Sequence, residues 1–148
     1  MRIRFCCAFL ISLLPSLAQA QSTASAIQEF GLIGTWAGEC REAAGPANNH
    51  ATYAAAPSGA VQLRYQAGEG YEDSIYDIVE AKLVAPDRLS MRQVLAGNDK
   101  VTLDIVLMKE NGRIRIWSSA FPDGTPLVED GVLTTATGRE TRWMARCS

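Results

Sequence analysis

Residues 100–120 read KVTLDIVLMKENGRIRIWSSA, and this stretch decides the fold. Apolar and polar residues alternate on both sides of Asn111-Gly112, and a period of two is the pattern of a half-buried strand. Asn-Gly is the pair a type I′ hairpin turn prefers, because both of its central residues take positive φ. A two-residue turn there pairs Glu110 with Arg113, sets Leu107 opposite Ile116 and sets Ile105 opposite Ser118. One face then carries Val101, Leu103, Ile105, Leu107, Ile114 and Ile116, and the other carries Asp104, Val106, Met108, Arg115 and Trp117.

The same grammar extends in both directions. Pro57-Ser58-Gly59 reads as a hairpin loop that sets Ala55 against Val61, Tyr53 against Leu63 and Ala51 against Tyr65, with Thr52, Gln62 and Arg64 on the opposite face. Pro86-Asp87 reads as another, and the register that aligns Leu83 with Leu89 and Ala81 with Met91 also brings Glu80 to Arg92. Agreement of apolar and charged cross-strand pairs supports that register. Ile75, Ile78, Val79 and Leu83 behind Ser74 also fit a helix, but the Pro-Asp turn and the alternating Leu89-Ser90-Met91-Arg92 that follow favour a strand. Residues 42–49, 67–70, 97–99 and 122–126 read as loops, 132–136 as a short strand, Thr137-Gly138 as a turn and 141–147 as a final strand. The expectation is an all-β domain, an antiparallel β-barrel or strongly curved sheet of about eight or nine strands.

Arg2 and Arg4, an apolar run over 5–17 and then Ala18-Gln19-Ala20 describe a cleaved secretory signal, since the apolar run is too short to span a bilayer and small residues precede the cleavage point. The expected mature chain begins at Gln21 and forms one domain, 21–148, exported to the periplasm or the extracellular space. No small-residue lipobox precedes Cys6 or Cys7, so a lipid anchor is not expected, and both leave with the signal. Cys40 and Cys147 remain; two cysteines in an oxidising compartment are expected to form one disulfide. The signal takes two of the 14 basic residues and none of the 16 acidic ones, leaving 12 against 16, a net charge of −4. Scattered basic residues on an acidic chain argue against nucleic acid as a partner, and no later segment is long and apolar enough to span a membrane.

In the first strand, read over 33–40, Trp36 and Cys40 share a face, as do Trp143 and Cys147 in the last. Two inward-facing tryptophans would put the disulfide at the edge of the core. Antiparallel pairing of Trp36 with Trp143 would leave Cys40 opposite Arg139, roughly 27 Å from Cys147, so a parallel first and last strand is expected. A count of nine strands allows it.

The stretch 26–36, ending in Gly34-Thr35-Trp36, resembles the start of a lipocalin or wider calycin barrel, where a short turn leads into Gly-x-Trp and an Arg of the last strand packs over the Trp. The resemblance makes Arg142 or Arg146 that residue. This chain differs from the family in its shorter length, in the absence of an evident helix after the last strand and in lacking the Thr-Asp-Tyr motif. The resemblance implies a binding protein.

The residues offer little chemistry. His50, the only histidine, stands in an Asn-Asn-His-Ala transition where Asn48, Asn49 and His50 read as bonding loop backbone, and no Gly-x-Ser-x-Gly elbow presents a nucleophile. One histidine and two bridged cysteines cannot assemble a zinc site. Glu69, Glu72, Asp73 and Asp77 lack EF-hand spacing and read as a solvated acidic surface. No catalytic residue, metal ligand or cofactor is expected. The candidates are binding residues: Trp36, Tyr53, Tyr65 and Trp143 for a small apolar molecule inside the barrel, or Val106, Met108 and Trp117 as an apolar surface for a secreted protein partner. The first reading is a non-catalytic ligand-binding protein, the second an inhibitor of a protease or lysozyme.

Overall fold

The computed structural model describes residues 22–136 and 138–148, so the expected signal over 1–20, Gln21 and Thr137 of the expected Thr137-Gly138 turn lie outside the described residues. The elements are α1 (Thr23–Phe30), β1 (Gly34–Ala37), β2 (His50–Ala55), β3 (Val61–Gln66), β4 (Ser74–Ala85), β5 (Arg88–Leu95), β6 (Asn98–Glu110), β7 (Arg113–Ala120), β8 (Pro126–Glu129), β9 (Val132–Leu133) and β10 (Met144–Cys147). Strands β1 to β7 pair in sequence, and β10 bonds both β7 and β1, closing an eight-stranded antiparallel barrel. A closed barrel leaves no free sheet edge.

Turn chemistry sets the registers. Asn111 at φ 49° and Gly112 at φ 73° make the type I′ turn, and Glu110 pairs with Arg113 and Leu107 with Ile116 as the spacing predicts. The β2–β3 ladder has Ala55 against Val61, Tyr53 against Leu63 and Ala51 against Tyr65. The β4–β5 ladder has Leu83 against Leu89, Ala81 against Met91 and Glu80 against Arg92, which settles the strand over the helix. One expected pair is corrected. A β-bulge between Val106 and Leu107 leaves Trp117 extra on β7, so Ile105 faces Ser119 rather than Ser118. Because the extra residue changes the phase of the strand beyond it, Ser119 becomes an inward, buried residue.

Helix α1 seals one end of the barrel. Ser22 caps it by accepting from Ser25 N at 3.1 Å, and Gly31 at φ 74° ends it, with Leu32 N donating to Ile27 O at 3.1 Å. That closing bond belongs to a Schellman turn, whose flanking residues meet through apolar contact. Ile27 and Leu32 are both fully buried, and Phe30 joins them against the barrel core. Burial of side chains this large stabilises by about 1.5–3 kcal/mol each. The helix packs on β4 and β5, and Lys109 reaches up from β6 to donate to Phe30 O with its ammonium 4.5 Å from the Phe30 ring centroid. Trp36 Nε1 donates to Leu32 O at 2.7 Å, so the indole is buried with its one polar atom satisfied.

The barrel's ends meet differently from the sequence expectation. β1 and β10 are antiparallel, with Thr35 opposite Cys147 and Trp36 opposite Arg146. The odd count came from including the 132–136 strand in the wall; β8 and β9 instead form a flap that pairs along β7 outside the eight-membered ring. An even ring needs antiparallel neighbours throughout. The strands also slide three residues from the Trp36–Trp143 pairing, and β1 stops at Ala37, so the chain turns and returns Cys40 to Cys147. Their disulfide spans a Cα–Cα distance of 5.3 Å and joins the segments at the start and end of the wall.

Candidate functional site

The inward faces enclose a cavity of about 300 Å³. Ala51, Tyr53, Leu63 and Tyr65 come to it from the β2–β3 hairpin, Tyr76, Met91 and Gln93 from β4 and β5, and Leu103, Ile105 and Leu107 from β6. Period-two alternation places each of them inward, since every second residue of a strand faces the same side. The flap adds Leu127, Val128 and Leu133. An adjoining pocket of about 370 Å³ shares Tyr65, Ile116, Leu133 and Met144 with it and is rimmed by Arg139, Glu140 and Arg142. The apolar chamber thus opens into a polar vestibule.

Tyr53 and Tyr65, two of the four interior candidates, line the chamber. Burial raises the Tyr53 hydroxyl well above the usual tyrosine range, and the neighbouring Tyr65 phenol adds to it. Tyr65 is raised in turn, first by burial and then by Tyr76, with Arg142 opposing. Both phenols therefore stay neutral hydrogen-bonding groups. Trp36 lies at the helix-sealed end and is not part of the cavity lining. Trp143 corrects the expectation of an inward pair: Met144 pairs opposite Ile114, and the residue before it packs on the outer wall, its ring centroid 4.8 Å from the Arg115 guanidinium.

The two arginines that the barrel resemblance singled out both cover glycines beside Trp36. Arg146 is the ladder partner of Trp36 and lies over Gly34, where a Cβ would stand 3.0 Å from its Nε. Arg142 lies over Gly38, where a Cβ would stand 2.8 Å from its Cδ, and donates to Ala47 O. Absence of a side chain at both glycines makes room for them.

Trp117, at the bulge, is half-buried and keeps the company the hairpin register assigned it on the outer face. Arg88 and Arg115 stand 4.9 and 5.4 Å from its ring centroid, so the surface around Val106, Met108 and Trp117 is a cation–π stack rather than a bare apolar patch. The stack continues to Trp143 through Arg115, whose Nη1 also donates to Glu140 at 3.1 Å. Arg115 packs so closely on Gly131 that a Cβ there would meet Nη2 at 2.6 Å. With Gly131 N bonded to Trp117 O at 2.7 Å and Thr141 Oγ1 to Ile116 O at 2.6 Å, this arginine clasps the flap against the wall.

Elsewhere, Asn48 is buried and closes its loop by accepting from Glu39 N and donating to Glu39 O, both at 2.9 Å, with His50 Nε2 3.3 Å from its amide nitrogen. Of the acidic group, Asp73 pairs with Arg64 at 2.7 Å and Asp77 accepts from Gln62 at 2.8 Å. Among the described residues no three His, Cys, Asp or Glu side chains converge as metal ligands, and no helix is long and apolar enough to cross a membrane.

Sequence reasoning missed Tyr76, Met91, Gln93 and Ser119 as lining residues. The signal for Gln93 was present: it is in phase with Leu89 and Met91, a polar residue where the strand calls for an apolar one. No protein-family model, curated protein or solved structure matches this chain.

Proposed function

We propose that this protein is an exported, non-catalytic binding protein that carries a small apolar molecule inside its barrel, in the manner of lipocalins and other calycins. The observation that carries this reading is the 300 Å³ chamber with its mostly aliphatic and aromatic lining, walled by strands and sealed at one end by α1. Small-molecule sites have this character: concave, apolar and supplied with a few polar groups. The Gly34-Thr35-Trp36 start with Arg146 opposite the Trp supports the calycin likeness, and the Cys40–Cys147 disulfide supports an oxidising destination. The outer surface at Val106, Met108 and Trp117 is the weaker docking site, because two guanidinium groups already occupy the indole. Native mass spectrometry of protein purified without denaturation tests the reading. A retained small molecule supports it, and a bare barrel with a co-purified protein partner contradicts it.

A further inference from the structure

Gln93 is the polar residue of the chamber whose chemistry is left open. It sits in β5 between Ile78 of β4 and Leu103 of β6, is 4% exposed and lines the cavity. Its Oε1 has no hydrogen-bond partner in the protein. A buried carbonyl oxygen without a donor is costly and is uncommon in folded proteins. Leu or Met would fill the same inward position with nothing left unpaired. The other such atom among the described residues, Arg115 Nε, belongs to the clasp on the outer wall and is not part of the cavity lining.

We propose that the molecule held in the barrel places an uncharged, largely apolar part in the chamber and donates one hydrogen bond from it to Gln93 Oε1, the amide turning to meet it. This rests on the barrel being a ligand site. The chamber lining contains no Asp, Glu, Lys, Arg or His, so a charged group held there would be buried unpaired, at a cost no apolar contact offsets; any charge on the ligand belongs in the vestibule, beside Arg139, Glu140 and Arg142. A volume of about 300 Å³ equals the liquid share of about ten waters, room for a bicyclic apolar group. The part held in the chamber is therefore an apolar group that carries a neutral alcohol, phenol or N–H donor. A ligand with a donor satisfies Gln93 and one without a donor leaves it unpaired, and this difference is the source of selectivity in sites built on buried polar groups.

Three probes separate the possibilities: naphthalene, 1-naphthol and 1-methoxynaphthalene, titrated calorimetrically into the oxidised protein after bound molecules have been stripped on an apolar resin. 1-Methoxynaphthalene keeps the oxygen of 1-naphthol and lacks its donor. The expected result is that 1-naphthol binds at least about tenfold more tightly than either of the others. In Gln93→Leu and in Gln93→Met that preference should disappear, with naphthalene binding at least as well as to the parent and the melting temperature unchanged or raised. Equal affinity for all three probes in the parent overturns the inference while leaving the barrel as a ligand site. So does a preference for 1-naphthol that survives in both variants. Loss of the folded state in both variants overturns it as well, by giving Gln93 a role in the fold instead. Binding of none of the three overturns the ligand site itself, and the inference with it.

Discussion

Replacing Cys147 with Ser removes the bond that ties the segment after β1 to the last strand, and its cost can be worked from the loop it closes. Cys40 and Cys147 are 107 positions apart. In the chain-entropy model a closed loop of that length lowers the entropy of the unfolded chain enough to stabilise the fold by about 4.8 kcal/mol at room temperature. Removal of native disulfides from small secreted domains costs about 2–5 kcal/mol, so the expectation sits at the top of that range. For a domain of this size about 1 kcal/mol moves the melting temperature by roughly 4 °C, and Cys147→Ser should melt about 10–20 °C below the parent. Urea unfolding should also show a larger dependence on denaturant in the variant, because an unbridged unfolded chain exposes more surface. Cys40→Ser should match it, and the double variant should cost no more than either single one. A loss below about 1 kcal/mol, or additive losses in the double variant, would refute the claim that these two residues act as one cross-link.

Tyr53 predicts a loss of stability at alkaline pH. Burial holds its proton more tightly in the folded state than in the unfolded chain, where the usual value is 10.0. Stability is therefore complete below that value and falls as pH rises above it toward the higher folded-state value. Denaturant midpoints measured from about pH 9 to about pH 11 should decline in the parent and decline less in Tyr53→Phe; equal slopes would contradict the assignment. Trp117→Ala should cost about 1–2 kcal/mol, the sum of two cation–π contacts at about 0.5–1 each, as measured by chemical denaturation. A loss as large as that of a core aromatic, about 3–5 kcal/mol, would mean that the indole is part of the core rather than of the outer stack.

The hairpins were legible because their turns carry their own stereochemistry. Asn111-Gly112, Pro57-Ser58-Gly59 and Pro86-Asp87 each fix a register locally, and alternation then assigns faces, which is how Tyr53 was placed in the interior and Tyr65, which is exposed, on the same face where chamber and vestibule meet. What failed was nonlocal. Alternation through Ile114, Ile116 and Ser118 gave no sign of the bulge that turns Ser119 inward. Closure between β10 and β1 depends on how many strands enter the ring, and a short strand such as β9 has the same pattern whether it lies in the wall or in a flap. Trp143 was misplaced for that reason. Helix α1 was written more plainly than the reading allowed: Ser22 precedes it, Gly31 follows it, and Ile27 and Phe30 are three apart. Eight residues give only two turns of pattern, too few for periodicity to stand out from the strand that follows. Gln93 is a polar residue in the apolar phase of β5, and only the cavity gives it a chemical context.

The central claim is that the chamber inside the barrel is the binding site, and native mass spectrometry of the parent beside Leu103→Trp tests it most directly. Leu103 lines the chamber and is only half-buried, so a larger ring can fill the space without displacing the sealed end of the core. The expected result is a small molecule retained by the parent and absent from a Leu103→Trp protein that still folds and keeps its disulfide. A parent that carries nothing, or the same bound mass on both proteins, would contradict the account.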